Sequence, residues 1–249
     1  MIVEITKTEL KEILPLRALF MQESNFQVRY NAVHERGWSD SYLISVDGKK
    51  VGYGSVMGIE DRTDRNDIFE FYLTPAYRNY SSVIFKQLID VSTPRYIECQ
   101  SNDLILSSKL YEYAHKINSE VVLFKDGPVT EMAIPGITVR KREKSDEVFD
   151  HKHEPDGDYV LISDKQVVAT GGFLLHYNFP FADLYMEVHE DHRQKGYGSL
   201  LIQEIKKACY LSGRVPAARC GITNKASKAT LLKGGMAVAG YMLSGEIKG

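Results

Sequence analysis

A short glycine-bearing loop between a strand pattern and a helix pattern constrains this chain more than any other feature. The loop reads Arg193-Gln194-Lys195-Gly196-Tyr197-Gly198-Ser199 and follows an apolar run at residues 184–188. The helix pattern after it places apolar residues on one face, at Leu201, Ile202, Ile205, Ala208 and Cys209, and polar residues on the other, at Gln203, Glu204, Lys206 and Lys207. Because a helix start leaves N–H groups unpaired at the positive end of its dipole, this order predicts an anion cradle.

Two common phosphate-binding patterns do not fit this loop. The P-loop pattern G-x-x-x-x-G-K-[ST] is absent, and the dinucleotide pattern G-x-G-x-x-G fails at its third glycine, where Leu201 stands. The pattern that fits is R/Q-x-x-G-x-G/A, with Arg193 in its first position.

A second motif begins at Asn224. Asn224 and Ser227 form N-x-x-S at a predicted helix start, and Lys233-Gly234-Gly235 ends that helix. A short buried strand is predicted before it, at residues 216–220, and another strand after it, at residues 236–243.

The two motifs together resemble the GNAT superfamily of N-acetyltransferases. The resemblance implies that acetyl-CoA is the co-substrate and that its pyrophosphate lies on the backbone N–H groups of residues 194 to 199. It also implies that Asn224 and Ser227 contact the pantetheine and phosphate arm, although simple helix capping is the alternative for both. The implied cofactor-binding residues are Val188, Arg193, Gln194, Lys195, Gly196, Tyr197, Gly198, Ser199, Asn224 and Ser227.

The chain departs from the family at one position. Many members carry a tyrosine on the second-motif helix as the general acid for the departing thiolate, and Leu231 stands at the matching position. Since a free thiol titrates near ~8.5, such an acid is helpful but not obligatory.

The order of predicted elements suggests two GNAT-like repeats in tandem. We expect an α/β protein with a degenerate GNAT-like domain at residues 1–130 and an acetyl-CoA-binding GNAT domain at residues 131–249, each a mixed, mostly antiparallel twisted sheet flanked by helices. In the first half the predicted helices are 8–22, a short element near 29–36, 81–91 and 104–116, and the predicted strands are 3–5, 42–46, 51–57, 68–73, 95–99 and 120–124. In the second half a strand at 137–142 and a hairpin of 159–163 with 166–176 precede the loop-bearing strand.

The first half lacks the glycines of the loop. Pairing Arg78 with Arg193 places Ser81 opposite Gly196 and Val83 opposite Gly198. A branched side chain there would stand where a phosphate must approach, so we expect the first half to bind no acetyl-CoA.

Glu187 is the candidate general base, because a carboxylate on the strand before the loop can take a proton from an incoming ammonium. Strand alternation puts Tyr185, Glu187 and His189 on one face, and a solvent-facing glutamate is the alternative. His189, Glu190 and His192 are further candidates. The His151-Lys152-His153-Glu154 stretch lacks the spacing of a metal site and is interpreted as a polar loop, so no metal is expected.

The bulk properties restrict the function further. The net charge of −2 and pI near 6.4 give no basic field for nucleic acid, and no apolar run reaches the ~20 residues of a membrane span. Three cysteines and no basic, apolar leader at residues 1–4 suggest a cytoplasmic protein without a secretory signal. We expect direct acetyl transfer to an amine of a small molecule or peptide. The alternatives are a catalytically weak CoA-binding regulatory or interaction module, an oxygen nucleophile, or a longer acyl group.

Overall fold

The computed structural model describes residues 1–24, 26–27, 31–58 and 61–248, and they form two compact units. The first unit comprises Met1–Phe26, Tyr30–Glu120 and Tyr241–Gly249, and the second contains Val121–Gly240 together with residues 27–29. The predicted division at 130 and 131 therefore differs from the compact units, because the last strand of the chain pairs within the first unit.

The first unit is a sheet with helices, as its alternating patterns predict. Its elements in chain order are β1 (Val3–Thr8), α1 (Leu10–Glu23), α2 (Asn31–Glu35), β2 (Ser39–Val46), β3 (Lys49–Met57), β4 (Asp67–Leu73), α3 (Ser81–Ser92), β5 (Tyr96–Gln100), α4 (Leu104–Tyr113) and the start of β6 (Ala114–Asp126). The strands run in the order β1-β2-β3-β4-β5, and β5 then pairs with the end of the last strand, β12 (Met236–Ile247). Of the short element expected near 29–36, residues 29 and 30 lie outside the described residues.

Two apolar clusters hold the first unit together. One contains Ile44, Phe71, Phe85 and Leu88 between the sheet and α3, all at most 1% exposed. The other packs Ile13 and Phe20 of α1 against Tyr53 and Tyr72. Every buried side chain of this kind contributes about 1.5–3 kcal/mol, so α1 is fixed to the sheet by its apolar face.

The second unit has its own sheet and two helices. Its elements are the remainder of β6, then β7 (Ile137–Lys141), β8 (Tyr159–Ser163), β9 (Gln166–Leu174), β10 (Phe181–Val188), α5 (Tyr197–Leu211), β11 (Val215–Gly221), α6 (Lys225–Lys233) and the start of β12. The strand order is β6-β11-β10-β9-β8-β7, and β10 and β11 are parallel while the other paired neighbours are antiparallel. Both units are thus mostly antiparallel sheets flanked by helices, as expected.

The parallel strands β10 and β11 diverge after a short contact. They pair only from Phe181 with Val215 to Asp183 with Ala217. Beyond Asp183, β10 continues beside β9 as far as Val188, and β11 continues beside β6 as far as Gly221. A gap therefore opens between the two strands at the end where the glycine loop begins.

The two units differ on one face of their sheets. In the first unit, α1 and α2 lie between the first two strands, whereas residues 142–158 between β7 and β8 form neither helix nor strand. The face of the second sheet that corresponds to the α1 side is covered by an irregular segment.

Two sequence expectations about helices were wrong. The predicted helix at 104–116 ends at Tyr113, because residues from Ala114 onward are in β6. Gln203 and Lys206 were placed on the solvent face of α5 but are only 3% and 2% exposed.

The polar ends of both buried side chains have partners in distant parts of the chain, and the Lys206 ammonium also lies 3.1 Å from Asp126 Oδ1. Gln203 accepts from Met132 N at 2.7 Å and donates to Met132 O at 3.1 Å, while Lys206 donates to Pro128 O at 3.1 Å and to Gly235 O. Hydropathy cannot anticipate such burial, because it depends on carbonyls supplied by distant segments.

Candidate active site

The glycine loop takes the conformation that its sequence predicted. Residues 190–192 form one turn of 3-10 helix, Gln194 has a φ of 61°, and Gly196 has a φ of 83° at the N-cap of α5. Two left-handed residues close together turn the chain from β10 into the helix, and glycine takes that geometry without steric cost.

The N-terminus of α5 fits an anion. Gly196 offers no side-chain cap, and the first intrahelical bond runs from Leu200 N to Gly196 O, so the N–H groups of residues 197 to 199 have no helical partner. The first turn carries no acidic residue.

Positive side chains surround this helix start. Lys195 is exposed on the loop, and the Lys233 ammonium lies 3.7 Å from the point where a Cβ on Gly196 would stand. Cations at the positive end of a helix dipole repel it, so this arrangement favours a bound anion such as a phosphate. Lys233 was absent from the predicted binding residues, although the Lys233-Gly234-Gly235 pattern contained it.

Gly198 lies in a close contact between α5 and its neighbours. A Cβ at this position would lie 3.0 Å from Thr230 Cγ2, 3.2 Å from Met186 Sδ and 3.4 Å from Val188 Cγ2. Gly198 therefore lets α5 pack closely on α6 and β10. A valine at 198 would therefore strain the packing of α5, whatever its effect on a ligand.

Neighbouring loop residues are also held by the protein. The Ser199 hydroxyl donates to Thr230 O at 3.1 Å, and the Tyr197 hydroxyl lies 3.4 Å from Ser163 Oγ. Their side chains brace the helix start, which leaves their backbone N–H groups as the groups available to a ligand.

Arg193 joins the loop to the end of β10. Its Nε donates to Val188 O at 3.1 Å, and in the first unit Arg78 Nε donates to Leu73 O at 3.0 Å across the same five-residue separation. The shared contact supports the pairing of Arg78 with Arg193 that the sequence suggested.

The first unit makes no comparable cradle. There a 3-10 helix, Pro75–Tyr80, runs directly into α3, and Ser81 N donates to Arg78 O. None of the described residues 74–83 has a positive φ. The helix start is therefore closed by its own backbone, in agreement with the expected degeneration.

Glu187 is 6% exposed and lies on the β10 face opposite α5. Its Oε1 accepts from Lys152 N at 3.1 Å, and its Oε2 accepts from His153 N and Glu154 N, each at 3.0 Å. Burial opposes ionisation, but the three N–H donors outweigh it and lower the pKa of this carboxyl below its ordinary value. The carboxylate thus holds the irregular segment against the sheet, and its role as base stays a prediction.

Other contacts fix the same segment. His151 Nε2 lies 2.9 Å from Thr170 Oγ1, Tyr185 donates to Asp156 O at 3.4 Å, and Lys152 pairs with Glu190 at 2.7 Å. A cleft of ≈ 200 Å³ remains at the end of β10, and its lining includes Phe149, Lys152, Glu187, Val188 and Arg193. His189 and His192 lie beside this region, with ring centroids 5.7 Å apart.

The second motif forms a helix start as predicted. Asn224 Oδ1 accepts from Ser227 N at 3.0 Å, which is an N-cap, so both residues have a structural role irrespective of any ligand. Leu231 is 4% exposed in α6 and has no proton to donate. Contacts of Asn224 and Ser227 with a ligand remain a prediction.

The described part of the chain also bears on three alternatives: a cysteine nucleophile, a metal site and a membrane-spanning helix. Cys99, Cys209 and Cys220 are buried and free, and burial raises the pKa of the Cys209 thiol to about 12, which argues against a thiolate nucleophile there. Within the described ranges, no three His, Cys, Asp or Glu side chains are placed to hold a metal ion. No helix among the described residues has the length and apolar character to cross a membrane.

Solved structures share this architecture. An acetyltransferase from the GNAT family of Colwellia psychrerythraea matches with a TM-score of 0.75 at 14% identity, over 98% of this chain and 100% of that one. A tandem GNAT protein from the clavulanic acid biosynthesis pathway matches with a TM-score of 0.62 at 9% identity, over 100% and 99%. A GCN5-related N-acetyltransferase from Sphaerobacter thermophilus matches with a TM-score of 0.57 at 14% identity, over 99% and 96%. At these identities the likeness concerns the fold.

Sequence families give the assignment. No curated protein matches the chain in sequence. A family model described as an acetyltransferase (GNAT) domain matches residues 9–127, and one described as the acetyltransferase (GNAT) family matches residues 129–234. The chain therefore belongs to the GNAT acetyltransferases and carries two GNAT domains in tandem.

Proposed function

We propose that the second unit binds acetyl-CoA and transfers its acetyl group to an amine of a small molecule or peptide. The observation that carries this proposal is the uncapped N-terminus of α5, with Lys195 and Lys233 beside it, at the end of a strand that has separated from its parallel neighbour. The N–H groups of residues 197 to 199 and the two ammonium groups would hold the pyrophosphate.

The gap between β10 and β11 would receive the pantetheine arm and bring the thioester towards Asp183, where the two strands separate. The chain's contribution is then anchoring and orientation, which can supply ~7 kcal/mol or more when the reacting groups are well aligned. The amine nitrogen attacks the thioester carbonyl, the C–S bond breaks, and the nitrogen gives up a proton. No covalent intermediate on the protein is required.

The binding step is tested by charge reversal. Lys195→Glu and Lys233→Glu should each weaken acetyl-CoA binding by roughly tenfold or more, since a hydrogen bond to a charged group contributes about 1.5–3 kcal/mol. Lys49→Glu is the matched control, because Lys49 is an exposed lysine of the β2–β3 hairpin in the first unit. Isothermal titration calorimetry measures acetyl-CoA binding to the wild-type protein and the three variants. Unchanged affinity in both Lys195→Glu and Lys233→Glu would refute the proposed site.

Stoichiometry gives an independent check. The first unit has no open helix start, so titration should give one acetyl-CoA per chain. Two sites per chain would show that the closed loop of the first unit opens for ligand.

Turnover separates an enzyme from a CoA-binding module. Thiol release from acetyl-CoA should depend on an added primary amine, for which a diamine, an amino sugar and a dipeptide form a first panel. Tight binding without thiol release across a broad panel would favour the module.

A further inference from the structure

We propose that Glu154 accepts the proton of the attacking amine and that Glu187 is the positioning residue that presents it. This inference rests on the proposed acetyl transfer and assigns its acceptor side. Four observations support it: the coverage of one sheet face, the contacts of Glu187, the surroundings of Glu154 and the divergence of β10 from β11.

The acceptor side is the β10 face opposite α5. Met186 and Val188 face α5, where they approach Gly198, whereas Asp183 and Glu187 point to the other side. In the first unit the same face is covered by α1. Here the irregular segment 142–158 covers it, so an acceptor would meet this segment.

The segment is held by backbone bonds to one carboxylate. Glu187 accepts from the N–H groups of Lys152, His153 and Glu154, at 3.0 to 3.1 Å, and it is buried. Its two oxygens are engaged by fixed donors, and these lower its pKa, which makes it a weak proton acceptor. This geometry suits anchoring, so in this proposal the role of base that the sequence predicted for Glu187 passes to Glu154.

Glu154 is exposed, and its backbone is fixed by the bond to Glu187. Partial desolvation raises the pKa of its carboxyl, the carboxylates of Asp183 and Glu187 raise it further, and Arg219 and His153 act in the opposite direction. The Glu154 charge is also among the causes that raise the pKa of the Tyr185 phenol, after burial of the phenol itself and the charge of Asp158. A carboxylate with a raised pKa is a better base near neutral pH than an ordinary one.

Two of the charges that act on Glu154, those of Asp183 and Arg219, lie where β10 and β11 separate. Asp183 is the last β10 residue that pairs with β11, and its partner there is Ala217. Arg219 follows Ala217 by two residues along β11. Arg219 Nε is 3.9 Å from Asp183 Oδ2, and His176 Nε2 is 3.2 Å from the same oxygen. In this proposal the Glu154 carboxylate, whose backbone is held by Glu187, serves a thioester presented where the strands separate.

The proposed step balances without a further reactant. The amine nitrogen forms a bond to the acetyl carbon while the C–S bond breaks, and the nitrogen's proton passes to the Glu154 carboxylate. The CoA thiolate leaves and takes its proton from water.

The first arm of the test needs no acceptor. Carbon-13 NMR of the glutamate carboxyl groups should show Glu154 titrating above the ordinary glutamate value of about 4.3, with Glu154→Gln assigning the resonance. Glu147, an exposed glutamate of the same segment, supplies the control substitution Glu147→Gln. In Glu187→Gln, amide exchange should accelerate at residues 152 to 154. A Glu154 pKa at or below the ordinary value of about 4.3, or unchanged exchange in Glu187→Gln, overturns the proposal.

The second arm uses acetyl-CoA with the amine of the panel that the wild-type protein acetylates fastest. Glu154→Gln should lower kcat by roughly 10²-fold and remove the acid limb of the pH profile while the Kd of acetyl-CoA stays constant. Glu187→Gln should mainly raise the KM for the amine and retain the acid limb, and Glu147→Gln should match wild type.

Two failures are distinguishable. Wild-type kcat in Glu154→Gln, or loss of the acid limb in Glu187→Gln, overturns the proposed roles while acetyl transfer itself stands. Absence of thiol release with every amine of the panel overturns the proposed function and the proton transfer with it.

Discussion

Gly198→Val tests whether this glycine serves packing or ligand access. The Cβ alone would lie 3.0 Å from Thr230 Cγ2 and 3.2 Å from Met186 Sδ, and valine adds two further methyl groups to the same space. Overpacking of this kind costs typically ~1–3 kcal/mol, while replacing a helical glycine by valine returns only ~0.3 kcal/mol of helix propensity. We expect a net loss of about 2 kcal/mol, or ~4–8 °C in Tm for a chain of this size.

The measurements are thermal unfolding and acetyl-CoA titration of the same protein, with Thr230→Ala as the compensating variant. Thr230→Ala removes the nearest methyl group, and Ser199 still has its bond to the Thr230 carbonyl. The double variant should regain at least half of the lost stability in a double-mutant cycle. Wild-type stability in Gly198→Val together with lost binding would refute the packing argument, because Gly198 would then face the ligand.

Two further predictions concern buried charges. Glu70 is fully buried and accepts from Arg17 Nε at 3.1 Å and Tyr53 at 3.0 Å, so Glu70→Gln should destabilise the protein at pH 7 by ~3–5 kcal/mol in urea unfolding, whereas Glu4→Gln on the surface should not. Burial opposes ionisation of Glu70, but Arg17 and His34 hold its pKa far below the unfolded value of about 4.3. The stabilisation should therefore be present above pH 4.3 and fall as the pH decreases below that value. If Glu70→Gln loses stability in acid as steeply as the wild-type protein does, the argument is contradicted. Lys206→Met leaves the Pro128 and Gly235 carbonyls without their donor and the Asp126 carboxylate without its cation. It should lower stability by ~1–3 kcal/mol in the same assay, and wild-type stability would show that water replaces the ammonium.

The parts of the fold that follow from local chemistry were predictable. The Asp47-Gly48 turn, an Asp-Gly pair between two strand patterns, has positive φ at both residues and joins β2 to β3, and the left-handed Gly196 begins α5. Each depends on a few adjacent residues, so a pattern of turn residues between periodic runs was sufficient.

The parts that depend on distant backbone were not predictable. The burial of Lys206 requires carbonyls from residues 127, 128 and 235, and the anchoring of Glu187 requires N–H groups some 33 to 35 positions away. Strand alternation separated Glu187 from the β10 residues that face α5, as the structure has it. No side-chain pattern predicts that the backbone of a loop will bind its carboxylate oxygens. The interpretation of residues 151–154 as a polar loop was compatible with the sequence, but it did not reveal that their backbone N–H groups bind Glu187.

The two units differ at two places that the proposed acetyl transfer requires, the start of the helix that would hold the phosphate and the sheet face that would receive the acceptor. At the helix start, the first unit replaces an open turn with a continuous 3-10 helix, so its N–H groups are not free to hold a phosphate. On the acceptor face, Glu70 and Tyr72 are at most 2% exposed beneath α1, whereas the second unit retains a cleft of ≈ 200 Å³ beside Glu187. Either change alone would impair acetyl transfer, and restoring glycines at Ser81 and Val83 would leave the acceptor face closed. Acetyl-CoA turnover should therefore depend on the second unit even in such a variant. If restored glycines raise turnover in the Lys195→Glu and Lys233→Glu double variant above that of the double variant alone, this reasoning is contradicted.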